Sequence, residues 1–135
     1  MKVVLETNVL VSAAMTAHGA CAQIVDLLAE GMFELCADDR ILAEYETVLR
    51  RPELGIIPQD AEYVLELISA TVENVAAVPL QVTLADPTDL PFLEVARTAD
   101  AMPVTGNLRH FPKCVCGPIM AVSPAEFLNM VRQST

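Results

Sequence analysis

The sequence predicts an α/β chain in three layers, an α/β/α sandwich around a central parallel sheet. Three observations lead there. Short β-prone apolar runs alternate with stretches of helical periodicity, the pattern of strands linked by crossover helices. No Pro/Gly/Ser-rich linker, internal repeat or low-complexity tract interrupts the 135 residues, so one domain spanning 1–135 is expected. Hydrophobic residues make up 53% of the chain against 19% charged, a surplus that argues against disorder and for a sizeable core.

Residues 1–5 (MKVVL) read as the first strand, followed by helix-compatible VLVSAAM and a second helix over residues 20–30. In that helix Cys21, Ile24, Val25 and Leu28 recur at helical spacing, and Gly31 ends it. Residues 32–37 (MFELCA) form the second expected strand, and Asp38 or Asp39 is placed to cap the next helix. Ile41, Tyr45, Val48 and Leu49 give that helix one apolar face, and Pro52 limits it. A further helix is expected over residues 60–71, with Tyr63, Val64, Leu67 and Ile68 as its stripe. VPLQVTL, residues 78–84, is β-prone despite its proline. DPTDLPFLEVARTA reads as a turn and then a helix that tolerates Pro91 only in its first turn. AMPVT is a short strand whose Pro103 suits an end or edge position, and IMAV, residues 119–122, is the last expected strand. Ser123-Pro124-Ala125-Glu126 has the order of a helix start: serine cap, proline first, glutamate third.

Composition bounds the function classes. Glu6 and Asn8 interrupt the N-terminal apolar run far short of the roughly 20 residues that cross a bilayer, and no basic leader precedes it. A cytoplasmic protein with no membrane association is expected. Cys114 and Cys116 form only a C-V-C pair without a second pair, which is poor zinc spacing, so all four cysteines are expected as reduced packing residues. Eighteen acidic residues against eight basic ones give a net charge of −10, which disfavours broad binding to a phosphate backbone. It leaves room for a site where bound cations supply positive charge locally.

Ligands of open α/β sheets sit outside the carboxyl ends of the strands. Glu6 follows the first strand, Asp86 and Asp89 stand between a β-prone run and a helix, and Thr105-Gly106-Asn107 ends another strand. Glu44 adds a fourth region, because Ile41, Tyr45 and Val48 share its helical face. A carboxylate within an apolar stripe calls for exposure, a basic partner or a cation, and basic residues are scarce. Oxygen donors around a hard divalent ion suit Mg2+ or Mn2+. Glu6, Glu44 and Asp89 are therefore the expected ligands, with Asp86 joining them or shaping the turn. Asn107 offers an amide oxygen, and Asn8, Ser12 and Thr105 are uncharged neighbours able to fix a carboxylate or a water. Against these stand plainer roles: DPTD as turn and cap, Glu6 and Glu44 as rim residues, Asn8 and Ser12 as local caps. His18 reads as a solvated turn residue, and His110, in NLRHFP, as structural or peripheral.

Taken in order, MKVVLETNVLVSA, ILAEYETVL, DPTDLPFLEVARTADAMPVTGNLRHFP and VSPAEFL resemble the PIN domain family. The resemblance is to the subgroup grouped with toxin components of bacterial toxin-antitoxin pairs, and it covers nearly the whole chain. It implies a three-layer fold with a parallel sheet, Mg2+- or Mn2+-dependent ribonuclease activity on an RNA substrate, a small antitoxin partner and a homo-oligomer. The family's acids fall on Glu6, Glu44 and Asp89, with Asp86 just upstream. Its last polar position falls on Asn107 after the hydroxyl of Thr105, and Asn8 and Ser12 match polar positions near the first acid. Two positions depart from the family pattern. Glu6 replaces the usual aspartate and reaches farther by one methylene, roughly 1.5 Å, and Asn107 carries no charge.

Two other classes compete with a metal-dependent endoribonuclease. One is a PIN-fold interaction module without turnover, which binds a protein partner or RNA. The other is a small phosphatase or phospho-acceptor domain. LETNV lacks the nearby second aspartate such enzymes use, and no Gly-rich phosphate loop with a following lysine occurs.

Overall fold

The computed structural model describes residues 1–134; the last residue of the expected domain, 135, lies outside the described residues. Four short strands, β1 (Lys2–Leu5), β2 (Glu34–Ala37), β3 (Glu73–Asn74) and β4 (Met102–Val104), form a parallel sheet in the order β3-β2-β1-β4. Val3, Val4 and Leu5 of β1 and Leu35, Cys36 and Ala37 of β2 are all fully buried. Successive residues of a strand face opposite ways, so both faces of the sheet are covered. This is the three-layer α/β/α sandwich with a central parallel sheet.

The helices are α1 (Thr7–Met15), α2 (Ala20–Ala29), α3 (Asp39–Leu49), α4 (Pro58–Thr71), α5 (Leu90–Ala99), α6 (Lys113–Cys116) and α7 (Pro124–Gln133). α1 begins two residues after β1 ends, and Glu6 between them is the N-cap residue. Asp38 caps α3 by accepting from the Ile41 N–H at 3.1 Å. Ser123 and Glu126 form a reciprocal capping box at the start of α7. Gly31, at φ 75°, makes the left-handed turn that follows α2. No single helix among the described residues is long and apolar enough to cross a membrane.

One continuous core joins the layers. Tyr45 of α3 is fully buried, donates its hydroxyl to the Leu5 carbonyl at 2.5 Å, and packs at 6.4 Å from the Phe92 ring of α5. Phe33 meets Phe127 of α7 edge-on at 5.2 Å. Glu94 of α5 is buried, yet it receives Arg40 Nη1 and the Leu80 N–H, both at 2.8 Å. It thereby ties α3, α5 and the loop after β3 together.

Four sequence expectations need correction. Residues 78–84 form no strand; the β-structure in this region is β3, whose two exposed residues no periodicity could mark. Residues 119–122 contribute only a single parallel bridge, Val122 to Val104. Val122 donates to the Pro103 carbonyl at 2.9 Å, so Pro103 turns its N–H-less edge outward and the ladder cannot continue. Tyr63 is exposed on α4, where Val64 and Ile68 are buried as expected and Ala61 is buried beside them. Cys36 and Cys116 pack in the core as expected and Cys21 is half-buried, whereas Cys114 is exposed; all four are free thiols.

Candidate metal centre

Parallel strands bring their carboxyl ends to one edge, and the site is built there. The Glu6 N–H continues the β1 ladder by donating to the Val104 carbonyl at 3.0 Å, so the residues after β1 and β4 are neighbours. Thr105, fully buried, donates its hydroxyl to Glu6 Oε1 at 2.8 Å and accepts the Asn107 N–H at 3.0 Å. Asn8, in the first turn of α1, donates to the same Glu6 Oε1 and accepts the Gly106 N–H at 3.2 Å through its own amide oxygen. One oxygen of Glu6 is thus pinned by two donors, and the other, Oε2, lies 2.9 Å from His110 Nδ1.

Asp89 arrives from the turn that precedes α5. Pro87–Asp89 form a 3-10 turn that leads into α5, and Asp86 holds it by accepting the Thr88 N–H at 3.0 Å and the Thr88 hydroxyl at 2.7 Å. Those bonds keep the Asp86 carboxyl below the usual range. Asp89 itself is 5% exposed, and its Oδ2 is buried without a hydrogen-bond partner. Burial, then the adjacent charge of Glu6, pushes the Asp89 carboxyl up to about 7.

His110 closes the cluster. Its Nδ1 lies 2.9 Å from Glu6 Oε2 and 3.3 Å from Asp89 Oδ2, and the hydrogen bond to Glu6 raises its pKa. The histidine expected as structural or peripheral is thus placed within the cluster itself. Asn107 caps the 3-10 turn Leu108–His110 through its side-chain oxygen on the Arg109 N–H at 3.1 Å, and this turn folds the imidazole back over Glu6. The available signal was that cap: an asparagine after T-G starts a turn that returns the residue three positions on to the strand edge.

The remaining sequence candidates, Glu44, Asn107 and Ser12, each have partners outside this triad. Glu44 accepts the hydroxyl of Thr7, the neighbour of Glu6, and so stands beside the N-terminus of α1. The Asn107 side chain is engaged in its own turn, and Ser12 is exposed with its hydroxyl toward the Cys21 thiol. A cleft of about 400 Å³ bounded by α1, α2 and α4 and an apolar one of about 470 Å³ around Phe111 and Ile119 are both lined by other residues.

The donor set fits a divalent cation. Glu6, Asp89 and His110 each offer one ligand atom, all within 4.8 Å of one another. A buried carboxylate oxygen without a partner beside a second buried carboxylate is costly by itself and is relieved by a positive charge between them.

The comparisons with known proteins agree with this architecture. The structure of VapBC2 from Rickettsia felis bound to a DNA fragment from their promoter has the same fold, with a TM-score of 0.61 over 90% of this chain and 98% of that chain at 17% identity. No curated protein matches the chain. Residues 2–109, four fifths of the sequence and every part of the cluster except His110, match the family profile described as PIN domain, and the chain therefore belongs to the PIN domain family.

Proposed function

We propose that this PIN domain is a divalent-metal-dependent endoribonuclease, the toxin component of a bacterial toxin-antitoxin pair, acting in the cytoplasm as a homo-oligomer. The observation that carries the reading is the buried Glu6 and Asp89 pair at the carboxyl edge of the sheet, with Asp89 Oδ2 accepting no hydrogen bond. Glu6 and Asp89 would hold the ion, Mg2+ or Mn2+, with Glu44 and Asp86 adding negative charge nearby. When bound, such an ion polarises a phosphoryl oxygen and acidifies a water.

The chain's own residues do the rest. Asn8 and Thr105 fix the Glu6 carboxylate through Oε1, which leaves Oε2 to meet His110 beside Asp89. Thr7 holds Glu44 against the start of α1. Arg109, exposed in the turn that carries His110, offers a cation to a neighbouring phosphate of an extended strand. On this reading Asn107 serves the site through its turn and contributes no charge.

A second reading, a PIN-fold interaction module without turnover that binds a protein partner or RNA, draws on the engagement of Asn107 and on the full set of donors already on Glu6. Incubating the protein with structured and single-stranded RNAs, with Mg2+, with Mn2+ and with EDTA, beside an identically prepared Glu44→Gln variant, separates the two. Metal-dependent cleavage that E44Q loses supports the nuclease. Folded protein that cleaves no RNA under any metal condition supports the module.

A further inference from the structure

We infer that His110 is a nitrogen donor to the ion held by Glu6 and Asp89, and that it turns the centre toward Mn2+ over Mg2+. The inference rests on the metal-dependent reading above and adds the chemical class of the ion.

The geometry is the first argument. His110 Nδ1 stands 2.9 Å from Glu6 Oε2 and 3.3 Å from Asp89 Oδ2. Adjacent donors around an ion with bonds of about 2.1 Å are separated by about 3.0 Å in an octahedron and about 3.4 Å in a tetrahedron. The two observed separations, 2.9 and 3.3 Å, each lie within about 0.1 Å of these values, so the imidazole nitrogen stands where a third donor beside the two carboxylates would be placed.

The second argument is what the other candidates do instead. Asn107 spends its side-chain oxygen on the Arg109 N–H, Asp86 spends Oδ1 on Thr88, and Glu44 stands one hydrogen bond away on the Thr7 hydroxyl. Asp89 Oδ2 is buried and accepts no hydrogen bond. What converges is two carboxylates and one imidazole, whose formal charge with neutral histidine is −2 and balances a divalent cation.

The third argument is donor softness. Mg2+ demands hard oxygen donors and gains little from an imidazole, whereas first-row transition ions accept one, with affinity rising from Mn2+ along the series. Asn107 carries no charge and spends its side-chain oxygen on its own turn, so it adds nothing to an all-oxygen Mg2+ site. Adding His110 compensates selectively for ions that take nitrogen.

Pulsed electron paramagnetic resonance of the Mn2+-loaded protein reads the donor directly. Nitrogen-14 modulation is expected, converting to the nitrogen-15 pattern when histidine is labelled and persisting in His18→Ala. Calorimetry of His110→Asn, which can keep a hydrogen bond to Glu6 and offers oxygen in place of nitrogen, is expected to show Mn2+ affinity lowered about tenfold or more, with Mg2+ affinity nearly unchanged. Mn2+ binding that Asp89→Asn abolishes but that shows no nitrogen coupling overturns this inference and leaves the metal reading standing. Equal losses of Mn2+ and Mg2+ affinity in H110N overturn it too. Absence of any divalent binding to the wild-type protein overturns both. Should H110N fail to fold, the labelled wild-type spectrum decides alone.

Discussion

Asp89→Asn should make the metal-free protein more stable while removing its ability to hold an ion. Asp89 is 5% exposed, its Oδ2 has no hydrogen-bond partner, and the Glu6 carboxylate is adjacent. An amide in the same volume carries no charge and can donate to Glu6. Relieving one buried unsatisfied charged group is worth about 1–3 kcal/mol. For a chain of this size that corresponds to about 3–4 °C of Tm per kcal/mol, or roughly 3–12 °C in all. The effect depends on pH in a definite direction. The Asp89 carboxyl is raised to about 7 from 3.8, so the folded state takes up a proton that the unfolded state does not. That contribution is fully present below the unfolded value and is lost as pH rises through about 7. Thermal melts in EDTA should therefore show the advantage of D89N at pH 8 and little of it at pH 5, where the wild-type Asp89 is protonated and can donate by itself. A D89N protein that melts below wild type at pH 8, or that gains equally at both pH values, refutes the reasoning.

Three further outcomes follow from particular contacts. Glu94→Ala should destabilise the fold by about 1.5–3 kcal/mol in urea titrations, because it removes a buried acceptor shared by Arg40 and the Leu80 N–H; the half-exposed Arg40 can regain water, which keeps the loss toward the lower end. Ser123→Ala should cost about 1 kcal/mol by the same measurement, through loss of one half of the α7 capping box. Arg109→Ala should weaken RNA binding and reduce its salt slope by about one in a log-log titration, with metal affinity unchanged.

Much of the fold was legible because its signals are local. The buried runs of β1 and β2, the Asp38 cap and the Ser123 box are each written within a few consecutive residues. The failures have physical causes. β3 is two residues long and exposed, so it carries no apolar pattern, and it exists only because β2 lies beside it. IMAV reads as a strand in isolation, but the proline in its neighbour ends the ladder after one bridge. At the site, Glu6 and Thr105 could be placed from strand ends alone, whereas Asp89 was reached through an expected strand, residues 78–84, that does not form. His110 could not, because a lone histidine has no periodicity and its position depends on a turn that the Asn107 side chain caps.

The most direct measurement follows stabilisation and cleavage together as Mn2+ is titrated into the wild-type protein and into D89N. If one site both holds the ion and cuts RNA, the concentration that half-saturates the rise in Tm of the wild type will match the one that half-activates RNA cleavage, and D89N will show neither response. Cleavage that persists in D89N, or a saturable rise in Tm with no RNA cleaved at any Mn2+ concentration, would contradict the account.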